Sequence, residues 1–183
     1  MTLSPRPPSS TATLGELGEQ LVARWLQQQG WQILHHRWRC RWGELDLIAR
    51  QQPPNLETDR DSQNFGLTTE MRSPCIAFVE VKTRSRGNWD ATGLLAITPQ
   101  KQAKLYQAAQ LFLADYPDLA SFPCRFDVAL VRCQSVLPPS PHWEVSEQPI
   151  PSREETVLLG QPYQMKNYCL ILQDYIQSAF DAL

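Results

Sequence analysis

The chain has 183 residues, 42% hydrophobic and 20% charged, with 17 Lys+Arg against 19 Asp+Glu for a net charge of -2. That length suits one domain of ordinary size with chain left over for tails and loops, and the charge balance excludes a histone-like polycation. No apolar run approaches the ~20 residues a membrane-spanning helix needs.

The opening MTLSPRPPSS has no apolar stretch of the kind a secretory signal carries. Cys40, Cys75, Cys124, Cys133 and Cys169 form no CxxC pair, so free thiols in a reducing cytoplasm are the expectation. Residues 1–12 are rich in Pro, Ser and Thr and are expected to be a flexible tail ahead of a single domain over 13–183. Leu14, Leu17, Leu21, Val22, Trp25 and Leu26 recur at helical spacing, Thr13 and Glu16 make a capping box, and Gly30 ends the helix. Residues 31–36, 43–49 and 76–83 read as strands. The stretch 51–74 has no sustained apolar period and is expected to loop out as an insertion.

Thr98-Pro99 starts a second helix, with threonine as N-cap and proline at the first helical position. Leu105, Ala108, Ala109 and Phe112 give that helix an apolar face, and Pro117 stops it. Residues 125–132 form a further strand. The prolines of 134–155 mark a second loop insertion, and from about 167 strand and helix signals are mixed, with neither prevailing. The order α-β-β-β-α-β predicts an α/β fold, a mixed central sheet with helices packed on its faces.

Alternation along strands points to the chemistry. In IAFVEVKT it groups Ile76, Phe78, Glu80 and Lys82 on one face, so an apolar strand ends in an acid and a base on the same side. In GELDLIA it groups Glu44, Asp46 and Ile48 opposite Leu45, Leu47 and Ala49. Burying a charge costs several kcal/mol unless it is paired or metal-bound. If the two strands are neighbours, Asp46 and Glu80 converge, their repulsion raises one pKa, and a hard divalent cation such as Mg²⁺ or Mn²⁺ removes the penalty. Lys82 could then orient or deprotonate a water, or neutralise a phosphate oxygen. The plainer alternative is an ion pair at a sheet edge. His35 and His36 are adjacent and point to opposite faces, so they cannot chelate one metal together. Close helix packing explains Gly15-x-x-Gly18, and Asp127, opposite Phe126 and Val128, reads as half of a structural ion pair in preference to a support for Arg125 or for the residues of the site.

Taken together, Gly18-Glu19 with Ala23 and Leu26, the strand Gly43–Ala49, Phe78–Arg84, Lys101, Arg125–Val128 and Ala179-Phe180 resemble the YraN-like family of bacterial proteins. That family is similar to the restriction-endonuclease-like superfamily, with its PD-(D/E)XK motif, and to archaeal Holliday junction resolvases. The resemblance implies a restriction-endonuclease-like sheet, Asp46 and Glu80 as metal ligands with the Val81 carbonyl as a third, Lys82 as the catalytic lysine, and Glu19 as an acid completing the site. It also raises a homodimer as an expectation, since the junction-cleaving relatives are dimeric. Two departures stand out. Leu45 occupies the place of the motif's proline, and Arg37 with His35 and His36 occupies a stretch where relatives often carry an asparagine.

Basic segments flank the expected site. Arg37, Arg39 and Arg41 give 35–42 a charge of +3, and in 82–104 Lys82, Arg84, Arg86, Lys101 and Lys104 less Asp90 give +4. Acids collect in the presumed insertions, where 57–70 and 144–155 each total -3. If RWRCRW is extended, the arginines line one face as phosphate contacts, with Trp38, Cys40 and Trp42 on the other, either stacking on an unpaired base or packing in the core. Trp25 and Trp31 read as core residues. The expectation is a Mg²⁺- or Mn²⁺-dependent endonuclease-like protein acting on DNA, branched or otherwise non-duplex. The alternatives are a binding module of the same fold without turnover, and an interaction subunit docked through its acidic loops.

Overall fold

Helix α1 (Ser10–Gln28) buries Leu17, Leu21, Val22, Ala23 and Leu26, with Leu14 and Trp25 packed at the margin, as its apolar spacing requires. The computed structural model describes residues 10–51, 74–85, 97–135 and 156–180, so the predicted tail up to residue 9 and most of both predicted insertions lie outside the described residues. The helix begins at Ser10, which corrects the capping box: Thr13 lies inside the helix. The first turns extend into Ser-Thr-Ala-Thr because the anchored downstream turns have already met the cost of nucleation. Gly30, at φ 81, ends the segment as expected.

Three strands follow: β1 (Trp31–Cys40), β2 (Gly43–Gln51) and β3 (Ile76–Arg84). Helix α2 (Pro99–Asp115) starts where the sequence places it, with Thr98 Oγ1 accepting the Lys101 N–H at 3.3 Å. It ends at Asp115, and Pro117 opens a 3-10 turn. Strand β4 (Cys124–Ser135) runs longer than predicted at both ends. The unresolved C-terminal signal proves to be a hairpin, β5 (Pro162–Met165) and β6 (Tyr168–Phe180).

The strands form one six-stranded sheet in the order β1-β2-β3-β4-β6-β5, antiparallel except for the parallel pair β3–β4 joined through α2. This is the mixed α/β architecture the sequence predicts, extended by the C-terminal hairpin. One apolar layer lies under α1 and contains Leu47, Ala49, Ala77, Val79, Ala129 and Val131. The other lies under α2 and contains Leu45, Ile48, Phe78, Phe126, Val128 and Phe112. Each fully buried large side chain contributes about 1.5–3 kcal/mol, and Phe112, in contact with Trp38, Phe78 and Tyr116, anchors α2. All five cysteines are free thiols. Among the described residues no helix is long and apolar enough to cross a membrane.

The face assignment for β3 holds, since Ile76 and Phe78 lie under α2 while Ala77 and Val79 lie under α1. That for β2 is corrected. Leu45 joins Ile48 under α2, whereas Leu47 and Ala49 lie under α1, so the alternation slips by one place at Asp46.

Candidate metal centre

Pairing between β2 and β3 runs from Arg50–Ile76 to Leu47–Val79 and then stops. The next pair in that register would be Asp46–Glu80. There the strands part, and the Asp46 carboxylate takes the place of a strand carbonyl: the Val81 N–H donates to its Oδ2 at 2.7 Å. The slip in side-chain alternation falls at the same residue. The local break in the ladder therefore holds an acid between two strands, where a continuous ladder would have a main-chain partner.

Glu80 stays on the α2 side of β3 and is only 5% exposed. Its Oε1 accepts Lys82 Nζ at 2.6 Å and lies 3.2 Å from Lys101 Nζ, while its buried Oε2 has no hydrogen-bond partner. Lys101 sits in the first turn of α2, where a cation opposes the helix dipole; the contact with Glu80 offsets that cost. The sequence marked Lys101 only as a phosphate contact, and its reach to Glu80 depends on how α2 lies on the sheet.

Glu19 approaches from the other side. It is 7% exposed on α1, and the Glu19, Glu44 and Asp46 ligand atoms all lie within 4.8 Å of one another. Burial, then repulsion from Glu80, pushes the Asp46 carboxyl up to about 7, against the Val81 N–H and the two lysines. Burial, then repulsion from Asp46, likewise pushes Glu19 up to about 7, with Arg37 opposing. Burial leads in both shifts, and repulsion between neighbouring acids adds to it. Asp46, Glu80 and Glu19 thus gather around one locality with Lys82 and Lys101. Glu44 was not among the candidate site residues; the signal for it was its position two before Asp46 on a strand.

The basic residues divide. Arg37 is turned toward acids, with NH1 2.7 Å from Glu16 Oε1 and Nε 3.1 Å from both Glu19 Oε2 and Glu44 Oε1. Arg39 pairs with Glu44. Of the expected three-arginine stripe, two members are thus engaged by carboxylates, because β1 runs beside the acids of α1 and β2. Arg41 is exposed, its guanidinium 5.4 Å from the centre of the Trp42 ring. Arg84 lies exposed at the end of β3. Lys101 and Lys104 share a groove of about 210 Å³ with Trp42, Gly43, Glu44 and Leu105. Trp38 packs edge-on against Phe112 and Trp31 is buried, so the core reading holds for both, whereas Trp42 is 38% exposed. His35 lies against Phe112 and Tyr116 while His36 borders α1, on opposite faces as expected. Asp127 is fully buried and accepts Arg125 Nε at 3.0 Å, the Tyr175 hydroxyl at 2.7 Å and the Ser178 N–H at 2.9 Å. It is a structural ion pair with two further donors.

The chain is thus an α/β protein with a partly buried acidic cluster and two lysines where its central ladder opens. The model for the Uncharacterised protein family UPF0102 matches residues 18–131. A UPF0102 protein of Trichodesmium erythraeum is 50% identical over 166 residues, covering 91% of this chain and 87% of the relative. One of Acaryochloris marina is 49% identical over 180 residues, covering 97% and 96%, and one of Nostoc sp. is 41% identical over 174, covering 95% and 98%. The chain belongs to the UPF0102 family, the YraN-like family of the sequence resemblance.

Proposed function

We propose that this protein is a divalent-cation-dependent hydrolase of phosphodiester bonds in DNA. The observation that carries the reading is Glu80, nearly fully buried with one carboxylate oxygen unpartnered, beside an Asp46 whose carboxyl is pushed to about 7. Such a donor set fits Mg²⁺ or Mn²⁺, which prefer carboxylate and carbonyl oxygens. Asp46, Glu80 and the Val81 carbonyl would hold the ion, with Glu19 as a further acid beside Asp46. Once bound, it would polarise a phosphodiester oxygen and cancel the repulsion between the two acids.

The remaining work falls to side chains of the chain itself. Lys82, paired with Glu80 at 2.6 Å, is placed to orient the attacking water and neutralise a phosphate oxygen. Hydrolysis joins the water oxygen to phosphorus and releases one ester oxygen, which takes up a proton. Lys101, Lys104, Arg84 and Arg41 supply the phosphate contacts, and exposed Trp42 offers a stacking surface for an unpaired base. Arg37 and Arg39, held by acids, leave that list. The reading agrees with what the sequence resemblance implies, a site like that of restriction-endonuclease-like proteins and junction resolvases.

The test is incubation of purified protein with linear, single-stranded and four-way-junction DNA in Mg²⁺ or Mn²⁺. Cleavage that disappears in Asp46→Ala and in Lys82→Ala is expected. Cleavage surviving both substitutions together would assign it to another site or another protein. Salt-sensitive binding with no cleavage under any metal would replace the hydrolase by a binding module of the same fold.

A further inference from the structure

Arg37 lies in β1 at φ 50, a left-handed conformation that glycine, asparagine and aspartate tolerate far better than arginine. There its guanidinium reaches three acids, Glu16, Glu19 and Glu44. Nε stands 3.1 Å from two carboxylates yet makes no aligned hydrogen bond to either, so charge rather than directional bonding holds it between them. Glu19 and Glu44 are the acids whose ligand atoms converge with Asp46. Glu80, 95% buried with Oε2 unpartnered, adds its charge from β3. A monovalent cation of the chain itself is thus seated among carboxylates whose number and hardness suit a divalent one.

We propose that Arg37 is a resident counter-cation of the Glu19–Glu44–Asp46 cluster, so that a divalent ion enters this side of the site only as the guanidinium leaves. The inference rests on the metal-binding reading above. It makes Arg37 a positioning residue that sets metal affinity, by holding the acids together when no metal is bound and repelling an arriving ion.

The experiment measures Mn²⁺ binding to the full chain by electron paramagnetic resonance of the free ion, for the wild type, Arg37→Asn and Asp46→Asn, alongside thermal unfolding without metal. Asparagine suits the left-handed backbone, so Arg37→Asn removes the charge and leaves the turn of the chain in place. It is expected to bind Mn²⁺ about tenfold more tightly than the wild type, because a repelling charge is gone. Its metal-free unfolding temperature should fall as Glu16 and Glu19 lose the guanidinium, while Glu44 keeps Arg39. An affinity equal to or below the wild type overturns the proposal, since Arg37 would then only brace the acids. If Arg37→Asn does not fold, Glu16→Gln carries the test: it unties NH1 and should tighten Mn²⁺ binding, whereas the simple loss of an acid would weaken it, and weakening overturns the proposal. Mn²⁺ binding by the wild type but not by Asp46→Asn upholds the metal reading independently. No binding by any variant removes both.

Discussion

Gly18 of α1 and Thr83 of β3 lie so close that a Cβ on Gly18 would stand 2.0 Å from Thr83 Oγ1 and 3.2 Å from Thr83 Cβ. This contact sets how deeply α1 lies on the sheet, and the next residue along the helix is Glu19. The depth of packing and the position of an acid of the site are therefore one structural fact.

Gly18→Ala should accordingly destabilise the fold by about 1–3 kcal/mol, because turning the Thr83 hydroxyl aside still leaves Thr83 Cβ, which rotation of its own side chain cannot move, 3.2 Å from the added methyl. Gly15→Ala, where a Cβ would meet only Glu19 Oε1 at 4.0 Å, should be neutral or stabilising by up to about 1 kcal/mol. Urea denaturation of the two variants checks the contrast. Equal midpoints would mean that α1 sits farther from β3.

The raised acids predict an unusual pH dependence for the metal-free protein. Asp46 rises from 3.8, and Glu19 from 4.5, each to about 7 in the fold. Between about pH 4 and 7 the folded chain holds protons that the unfolded chain has released, so this contribution to stability is present at low pH and lost as pH rises. Asp46→Asn removes an ionisable member of the pair. It should stabilise the metal-free protein at pH 7.5 by on the order of 1 kcal/mol and leave it little changed at pH 4. Thermal unfolding across that range measures the slope, and saturating Mn²⁺ should reverse the ranking of the two proteins at pH 7.5.

Asp127 carries a separate structural load. It receives hydrogen bonds from Arg125 on its own strand and from Tyr175 and Ser178 on β6. Burial first, then the charge and hydrogen bond of Asp127, push the hydroxyl of half-buried Tyr175 up and hold it protonated. Asp127→Ala strands all three donors and should cost about 3 kcal/mol or more. Asp127→Asn keeps the shape and an acceptor and should cost less. Loss of hydrogen-exchange protection should concentrate in β6, which depends on Asp127 for its last turns of chain.

Lys104 and Lys101 line one groove but differ in their second contacts. Lys104→Ala should weaken DNA binding across sequences and lower the slope of log affinity against log salt by about 1. Lys101→Ala should add a loss of cleavage beyond its loss of binding, because Glu80 also loses a partner. Filter-binding titrations over a salt series, with cleavage rates at saturating DNA, separate the two.

The amino-acid order by itself determined the two helices, four of the six strands and the acid–lysine pair of β3. Local patterns suffice there: the apolar period of α1, Thr98-Pro99 at the start of α2, and alternation in IAFVEVKT. Gly30 and Thr98 act within a turn of their own position, so their effect is visible without a fold. Asp46 and Glu80 were legible as acids within apolar strands, and their family resemblance named them together. Only the tertiary structure decided that β2 changes its side-chain phase at Asp46, that Glu44 joins Glu19, and that Arg37 faces acids instead of solvent. It also decided that the C-terminal segment becomes a hairpin whose inner strand is bound to Asp127. Each of these depends on which segment lies alongside which: a carboxylate or guanidinium takes its role from the charges brought near it, and those arrive from distant parts of the chain, as Lys101 of α2 does at Asp46 of β2.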